Sequence, residues 1–477
     1  MNANGRPSIL VLYPSAFNYP GWLERVHVKT SQLMLCSYLA QWYPVEYADL
    51  EVTIGRPSTP PQVRRFERKV REFFAERQFD ILAISCWTSL SYRATMTVAR
   101  LCRETHPNAV VVVGGYHPSA RPEEFFTSDQ LVDYVVSGEG ELTLRQIAEG
   151  LATVGRPAGT QMISAPTLPP GEFVPIDWSL IEDFIHQYVG SPVNNLCIYT
   201  SRGCPFVCSF CMEWLKERGW RPFPPEMAAE EAHKAVMRLN SRSIGIADAC
   251  FGVRSEWRKR FLRRLAEFHP DYWVVFETRA EYIDEQDAEI LTGMKSQVQF
   301  GLESGSPRML QLMRKTKDPA RFLRHFSECS RMLSSYGVLH NANLIFNHPG
   351  ETEESLRETF ALMDQELEAG NNSLMWAVFS FMDFPGCEID KNRDFYRKNF
   401  GTRFLSPDWW REDIDQFDAC RHSEPSDDLS GSRVGLWQQL LNERDDRLRN
   451  VLTDKAFRFA AESYFRHWQD DPRFTQG

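Results

Sequence analysis

TSRGCPFVCSFCMEW, residues 200–214, places Cys204, Cys208 and Cys211 within eight positions. Three thiolates at this spacing leave one corner of a [4Fe–4S] cubane without a protein ligand, and that iron is free to bind a substrate. A structural zinc ion wants four protein ligands. No second CxxC pair and no HxxxH completes such a set, and Cys197, on the preceding strand, fits no common zinc spacing. The stretch therefore points to an iron–sulfur cluster held after a strand.

That strand, in NLCIYTSRG, opens a series of apolar runs: SIGIADACF, YWVVFETRA, QVQFGLESG, LHNANLIFNHPG and SLMWAVFSFM. Helical stretches near 225–239, 255–268, 284–293, 318–335 and 352–368 separate them. Six strand–helix units predict a partial (β/α)6 TIM-type barrel, with its site at the carboxyl ends of the strands. Upstream, SILVLYPS, YPVEYADL, FDILAISCWTS, AVVVVGGYHPS and VDYVVSGEGE alternate with amphipathic segments such as 61–77 and 91–106. Continuous β-branched runs of this kind predict parallel strands covered on both faces, a doubly wound α/β domain whose ligand lies beyond the strand ends. Those ends carry Ser85, Thr88, Gly114, Gly115, His117, Gly138, Glu139 and Gly140 as candidate ligand-binding residues. Turn glycines explain themselves, but two glycine-rich turns at adjacent strand ends favour a cleft.

The expected organisation is a doubly wound domain over 1–150, a proline- and glycine-rich linker over 151–192, the partial barrel over 193–385 and a mainly helical capping region over 386–477. In that last region LWQQLLNERDDRLRNVL and KAFRFAAESYFRHW read as amphipathic helices. Trp409, Trp410, Trp437 and Trp468 are expected to cap the barrel by packing.

A length of 477 residues suits two or three cores, and a net charge of −10 argues against a protein that coats nucleic acid. Eleven cysteines, an odd count, with no secretory leader read in MNANGRPSILVLYPSA, suit a reducing cytoplasm. Nowhere do about twenty apolar residues run together, so no membrane span is expected.

CPFVCSFC resembles the CxxxCxφC motif of the radical S-adenosylmethionine superfamily, with Phe210 as the aromatic. GGYHPSARPEE followed by VDYVVSGEGELTL resembles the cobalamin-binding, Rossmann-like domain that precedes the barrel in one large subfamily. The two resemblances cover residues 8 to 385. They imply that Cys204, Cys208 and Cys211 hold the cluster and that S-adenosylmethionine and cobalamin are the other cofactors. GLESGS, with Glu303 and Ser304, is similar to the segment that contacts S-adenosylmethionine. LIFNHPGETEES is similar to the GxPGET segment near the adenine, with Asn347 in place of the first glycine. GIADACFG is similar to an acidic second-strand segment, in which Asp248 fits and Ala249 and Cys250 depart. Cys250 reads as a small apolar filler. His117 lacks the DxHxxG context of a cobalt ligand and is expected to pack or hydrogen-bond near the corrin.

The implied activity is methyl transfer from methylcobalamin to an unactivated carbon of a secondary-metabolite substrate, by way of a 5′-deoxyadenosyl radical. A non-methylating radical reaction, such as ring formation, ring contraction or oxidation, is the alternative. A corrinoid or cluster sensor without turnover is disfavoured because the cysteines and the GLESGS and PGET segments are all present. The implied partners are a small-molecule or peptide substrate and a flavodoxin-type electron donor, with the chain a monomer that binds neither nucleic acid nor membrane.

Overall fold

The computed structural model describes residues 5–17, 28–187, 196–215, 219–371, 373–412 and 422–444. Among them, two parallel six-stranded sheets carry the architecture. The first takes β1 (Ile9–Tyr13), β2 (Val45–Asp49), β3 (Ile81–Ser85), β4 (Val110–Gly114), β5 (Tyr134–Ser137) and β6 (Gln161–Ser164) in the order β2-β1-β3-β4-β5-β6. Every neighbouring pair is parallel. Parallel pairing requires crossovers, and helices Thr30–Leu39, Pro60–Ala75, Tyr92–Thr105 and Glu141–Val154 supply them. The sixth strand falls inside the stretch read as linker, so the sheet runs past residue 150.

Side chains alternate across a strand, and here both sets are buried. Leu10, Leu12, Leu82, Ile84, Val111 and Val113 fill one core. Ile9, Val11, Ile81, Ala83, Val110 and Val112 face the other way, into a core that continues through Leu196, Ile198 and Ile244 to Phe300 and Phe346. The two α/β units thus share apolar packing, which fixes one against the other.

The second sheet takes β7 (Cys197–Ile198), then, after a two-stranded ribbon of β8 (Ser201–Arg202) and β9 (Arg221–Pro222), β10 (Ser243–Ile246), β11 (Trp273–Thr278), β12 (Ser296–Glu303), β13 (Leu339–Phe346) and β14 (Leu374–Ser380). Its order is β14-β13-β12-β11-β10-β7, all parallel, with β7 and β14 at its edges. This is the open, partial barrel expected. Helices Pro225–Leu239, Ser255–Ala266, Glu285–Thr292, Pro319–Ser335 and Glu353–Glu368 connect the strands. Their starts follow capping chemistry: Asp318 accepts from the Arg321 N–H with Pro319 at the first helical position, and Thr352 forms a capping box with Ser355.

Beyond β14 the chain forms helices Glu388–Lys391, Arg393–Phe400 and Leu436–Asn442 between irregular segments. Trp409 is buried and donates to the Asp383 carbonyl at 2.9 Å. Trp410 donates to the Glu124 carboxylate at 3.0 Å, tying the C-terminal region to the first unit. Trp437 packs on Phe346, with ring centroids 5.5 Å apart, at the end of β13. Trp468, the segment KAFRFAAESYFRHW and the last eight residues of LWQQLLNERDDRLRNVL lie outside the described residues. No helix among the described residues is long and apolar enough to cross a membrane.

Candidate functional site

The cysteine loop is closed by the β8–β9 ribbon, in which Arg202 stands opposite Arg221 and Ser201 opposite Pro222. Asp248, just beyond β10, fastens the entry to the loop. One carboxylate oxygen accepts from the Thr200 and Ser201 backbone N–H groups at 2.7 and 3.0 Å, and the other from their hydroxyls, both at 2.6 Å. Burial pushes this carboxyl up to about 6 against those hydrogen bonds. Asp248, read as a cofactor-binding residue, is therefore occupied in holding the strand that leads to Cys204. The loop's far side is tied down at Ser209, which donates its N–H to the Met313 carbonyl at 2.9 Å and accepts from the Ile389 N–H at 3.2 Å. Phe210 packs against Phe381, Cys387, Ile389 and Tyr396.

Cys204 and Cys208 are buried and Cys211 is partly so. Burial raises all three thiols. The Cys211 thiol is raised further by Glu213, Cys208 and Cys204, which places the three sulfurs within electrostatic reach of one another. Around Cys208, Lys315 lowers the thiol, Glu303 raises it and Arg279 lowers it. A thiol set that resists ionising alone suits a site where bound iron supplies the positive charge. Among the described residues no three His, Cys, Asp or Glu side chains gather tightly enough for one metal ion. Thiolates of a multi-iron cluster stand at separate corners rather than around one ion.

Glu303 ends β12 at a bulge, with φ of +69°. It pairs with Lys315 at 2.9 Å, and both are buried. Gly301 lies beneath them, and a Cβ there, 2.7 Å from each charged group, would make the pair shift. Ser304 is turned into the structure: its hydroxyl contacts that of Thr359 at 3.1 Å and accepts from the Ser306 N–H at 3.0 Å. Cys250 is buried, its thiol pushed up to about 12 by that burial, in keeping with a filler.

A cleft open to solvent separates the ends of the first sheet from the mouth of the second. It is lined mainly by apolar surface, as ligand pockets are. Ser85, Gly114, Gly115, Gly138, Glu139 and Gly140 line it from the first unit, and Tyr199, Ser201, Arg202, Gly203 and Glu213 from the second. Its deep end runs along the sheet face, past Val11, Ala83, Val112 and Val136. Trp87 also lines it, and its buried indole N–H has no hydrogen-bond partner among the described residues.

Thr88 and His117, read with this set, do not reach the cleft. His117 is fully buried, its Nδ1 2.9 Å from the Ser89 hydroxyl and its Nε2 3.3 Å from Glu124. Burial lowers its pKa. With both ring nitrogens engaged it offers none to a metal. Gly115 lines the wall but serves the backbone first: its φ is +126°, and a Cβ would meet the Cys86 carbonyl oxygen at 2.4 Å. Sequence reasoning missed Arg202, Arg221, Glu141, Tyr116, Glu213, Trp87 and Lys315. The Tyr116 hydroxyl bonds Glu213 across the cleft. For all but Lys315, positions close to glycine turns or cysteines were the one available signal.

The chain matches the B12 binding domain over residues 33–148 and the Radical SAM superfamily over residues 198–363. It is 26% identical over 368 residues to the anaerobic magnesium-protoporphyrin IX monomethyl ester cyclase of Cereibacter sphaeroides, covering 71% of this chain and 58% of that protein. It is 25% identical over 319 residues to the cobalamin-dependent radical SAM methyltransferase TokK of Streptomyces tokunonensis, covering 61% of this chain and 45% of TokK. The chain thus spans less than two thirds of either relative. Its fold is similar to that of the radical S-adenosylmethionine methyltransferase TsrM of Kitasatospora setae, solved with cobalamin and a [4Fe–4S] cluster. The TM-score is 0.62 at 18% identity, over 80% of this chain and 77% of TsrM. These domains imply a [4Fe–4S] cluster, S-adenosylmethionine and cobalamin as cofactors. The chain carries a B12-binding domain ahead of a radical SAM domain.

Proposed function

We propose that this enzyme transfers a methyl group to an unactivated carbon of a small-molecule substrate. The observation that carries the reading is the shared cleft: one wall is the glycine-rich end of the B12-binding sheet, and the other adjoins the cysteine loop at the barrel mouth. When bound, cobalamin supplies a transferable methyl group, and the cluster with S-adenosylmethionine supplies a 5′-deoxyadenosyl radical that removes a substrate hydrogen.

The residues present fit those groups. Cys204, Cys208 and Cys211 would hold the cluster. Glu303 and Lys315, buried beside Cys208, would meet the charged amino-acid end of S-adenosylmethionine. Ser85, Gly114, Gly138 and Gly140 leave room for a macrocycle. Asp248 and the contacts at Ser209 keep the loop in one arrangement. A flavodoxin-type donor would supply the reducing electron.

A second reading, ring formation without methyl transfer, is favoured by the similarity to the protoporphyrin ester cyclase over 71% of the chain. Product counting separates the two, because methyl transfer yields S-adenosylhomocysteine as well as 5′-deoxyadenosine. Substituting Cys204, Cys208 and Cys211 together by Ala should remove iron and abolish cleavage of S-adenosylmethionine while cobalamin stays bound. Persisting cleavage in that variant would sink the cluster assignment.

A further inference from the structure

Glu139 joins the two cofactor sites. It follows Gly138, whose φ is +103°, in the turn that ends β5 and lines the cleft. Its carboxylate is turned away from the cleft's open space, toward the cysteine-bearing ribbon. One oxygen contacts Arg221 Nη2 at 2.5 Å; the other lies 3.4 Å from Arg202 Nη1 and accepts the Leu168 N–H at 2.8 Å. Arg202 gives its second nitrogen to Glu141 at 2.6 Å, and Arg221 also donates to the Leu168 carbonyl at 2.7 Å. The side chains are 5% to 15% exposed.

The ribbon's register makes this arrangement necessary. Arg202 stands directly opposite Arg221 on the neighbouring strand. Like charges facing each other across strands repel, and buried ones more so. Two carboxylates from the B12-binding unit pair with the two guanidinium groups. The first strand of that ribbon leads directly into the segment that holds all three cysteines. Whatever bears on the turn over 138–140 from within the cleft therefore bears on the ribbon.

We propose that Glu139 is a positioning residue, which locks the cysteine loop to the floor of the cleft through Arg202 and Arg221, so that filling the cleft with corrinoid is felt at the cluster. The inference rests on the cofactor placement given under the proposed function. The charges give it a signed test. Glu139→Gln removes a negative charge beside the strand that leads to Cys204, and Arg221→Gln removes a positive one. Charge near a cluster sets its potential, so the two variants must move it in opposite directions.

The experiment uses the full chain, reconstituted anaerobically with iron and sulfide, with and without hydroxocobalamin. Iron and cobalt are counted, and the cluster is titrated potentiometrically with its reduced signal followed by electron paramagnetic resonance. The expected result has four parts. The potential rises in E139Q, falls in R221Q and returns toward wild type in the double variant, and the change that hydroxocobalamin causes in the wild-type signal is lost in E139Q. If one single variant fails to retain iron, the direction of the other decides. Wild-type potentials in both, or shifts of the same sign, would overturn the inference while leaving the functional reading intact. A wild-type chain that holds iron and no cobalt would overturn both.

Discussion

Replacing Asp248 by Ala removes one side chain that never touches the cysteines and should nevertheless release the cluster. The carboxylate is fully enclosed and accepts four hydrogen bonds, two of them from backbone N–H groups that have nowhere to turn. Leaving a buried donor unsatisfied costs about 1–3 kcal/mol, so the two together cost about 4 kcal/mol. The hydroxyls of Thr200 and Ser201 can rotate and add little. At 1.4 kcal/mol per factor of ten, opening of the strand ahead of Cys204 becomes easier by about 10³. The assay is anaerobic iron release to a ferrous chelator, read beside thermal unfolding. Release should accelerate by about that factor if the loss is local. Asp248→Asn is the control: one oxygen still serves both N–H groups while the amide faces hydroxyls that can turn to accept, at a cost of about 1 kcal/mol. Iron release in D248A at the wild-type rate would refute the view that Asp248 anchors the loop.

Three further outcomes follow from the same geometry. Because the folded Asp248 carboxyl is raised to about 6, above its unfolded value, its stabilising contribution is present below about pH 4 and lost as pH rises through 6. Wild type should lose about 2 kcal/mol relative to D248N between pH 4 and pH 7 in urea unfolding, and parallel curves would contradict this. Gly114→Leu, whose Cβ meets only ordinary contacts at 3.8 Å, should lower cobalt content several-fold and spare iron, whereas Gly115→Ala should cost about 3 kcal/mol of stability. Equal effects of the two on cobalt and on unfolding would show the cleft wall misassigned. Arg258 and Asp287 form a two-pronged pair at 3.0 and 2.7 Å, 1% and 0% exposed. Asp287→Asn should destabilise the chain by about 3 kcal/mol, and an unchanged urea midpoint would argue against a buried charge pair there.

Much of this architecture was legible because its signals are local. Buried parallel strands must be continuously apolar, and all six barrel runs and five of the first-sheet runs are strands. The cysteine spacing is likewise a local pattern. β6 escaped because QMIS is an edge strand largely open to water, with no apolar run to mark it. The roles of Asp248 and Glu139 escaped for another reason. Each is decided by partners that the fold delivers: Thr200 lies 48 residues from Asp248, and Arg221 lies 82 from Glu139. A carboxylate at a strand end looks the same in sequence whether it awaits a ligand or has already been taken by an arginine. His117 hydrogen-bonds as expected, with Ser89 and Glu124 engaging both its nitrogens, but away from the cleft.

The measurement that tests the central claim most directly is anaerobic reconstitution with iron, sulfide and hydroxocobalamin, followed by metal counting and product analysis with S-adenosylmethionine under reductant. About four irons and one cobalt per chain, with both S-adenosylhomocysteine and 5′-deoxyadenosine formed, is the predicted result. Iron without cobalt, or 5′-deoxyadenosine alone, would contradict a methyl transfer carried out across the shared cleft.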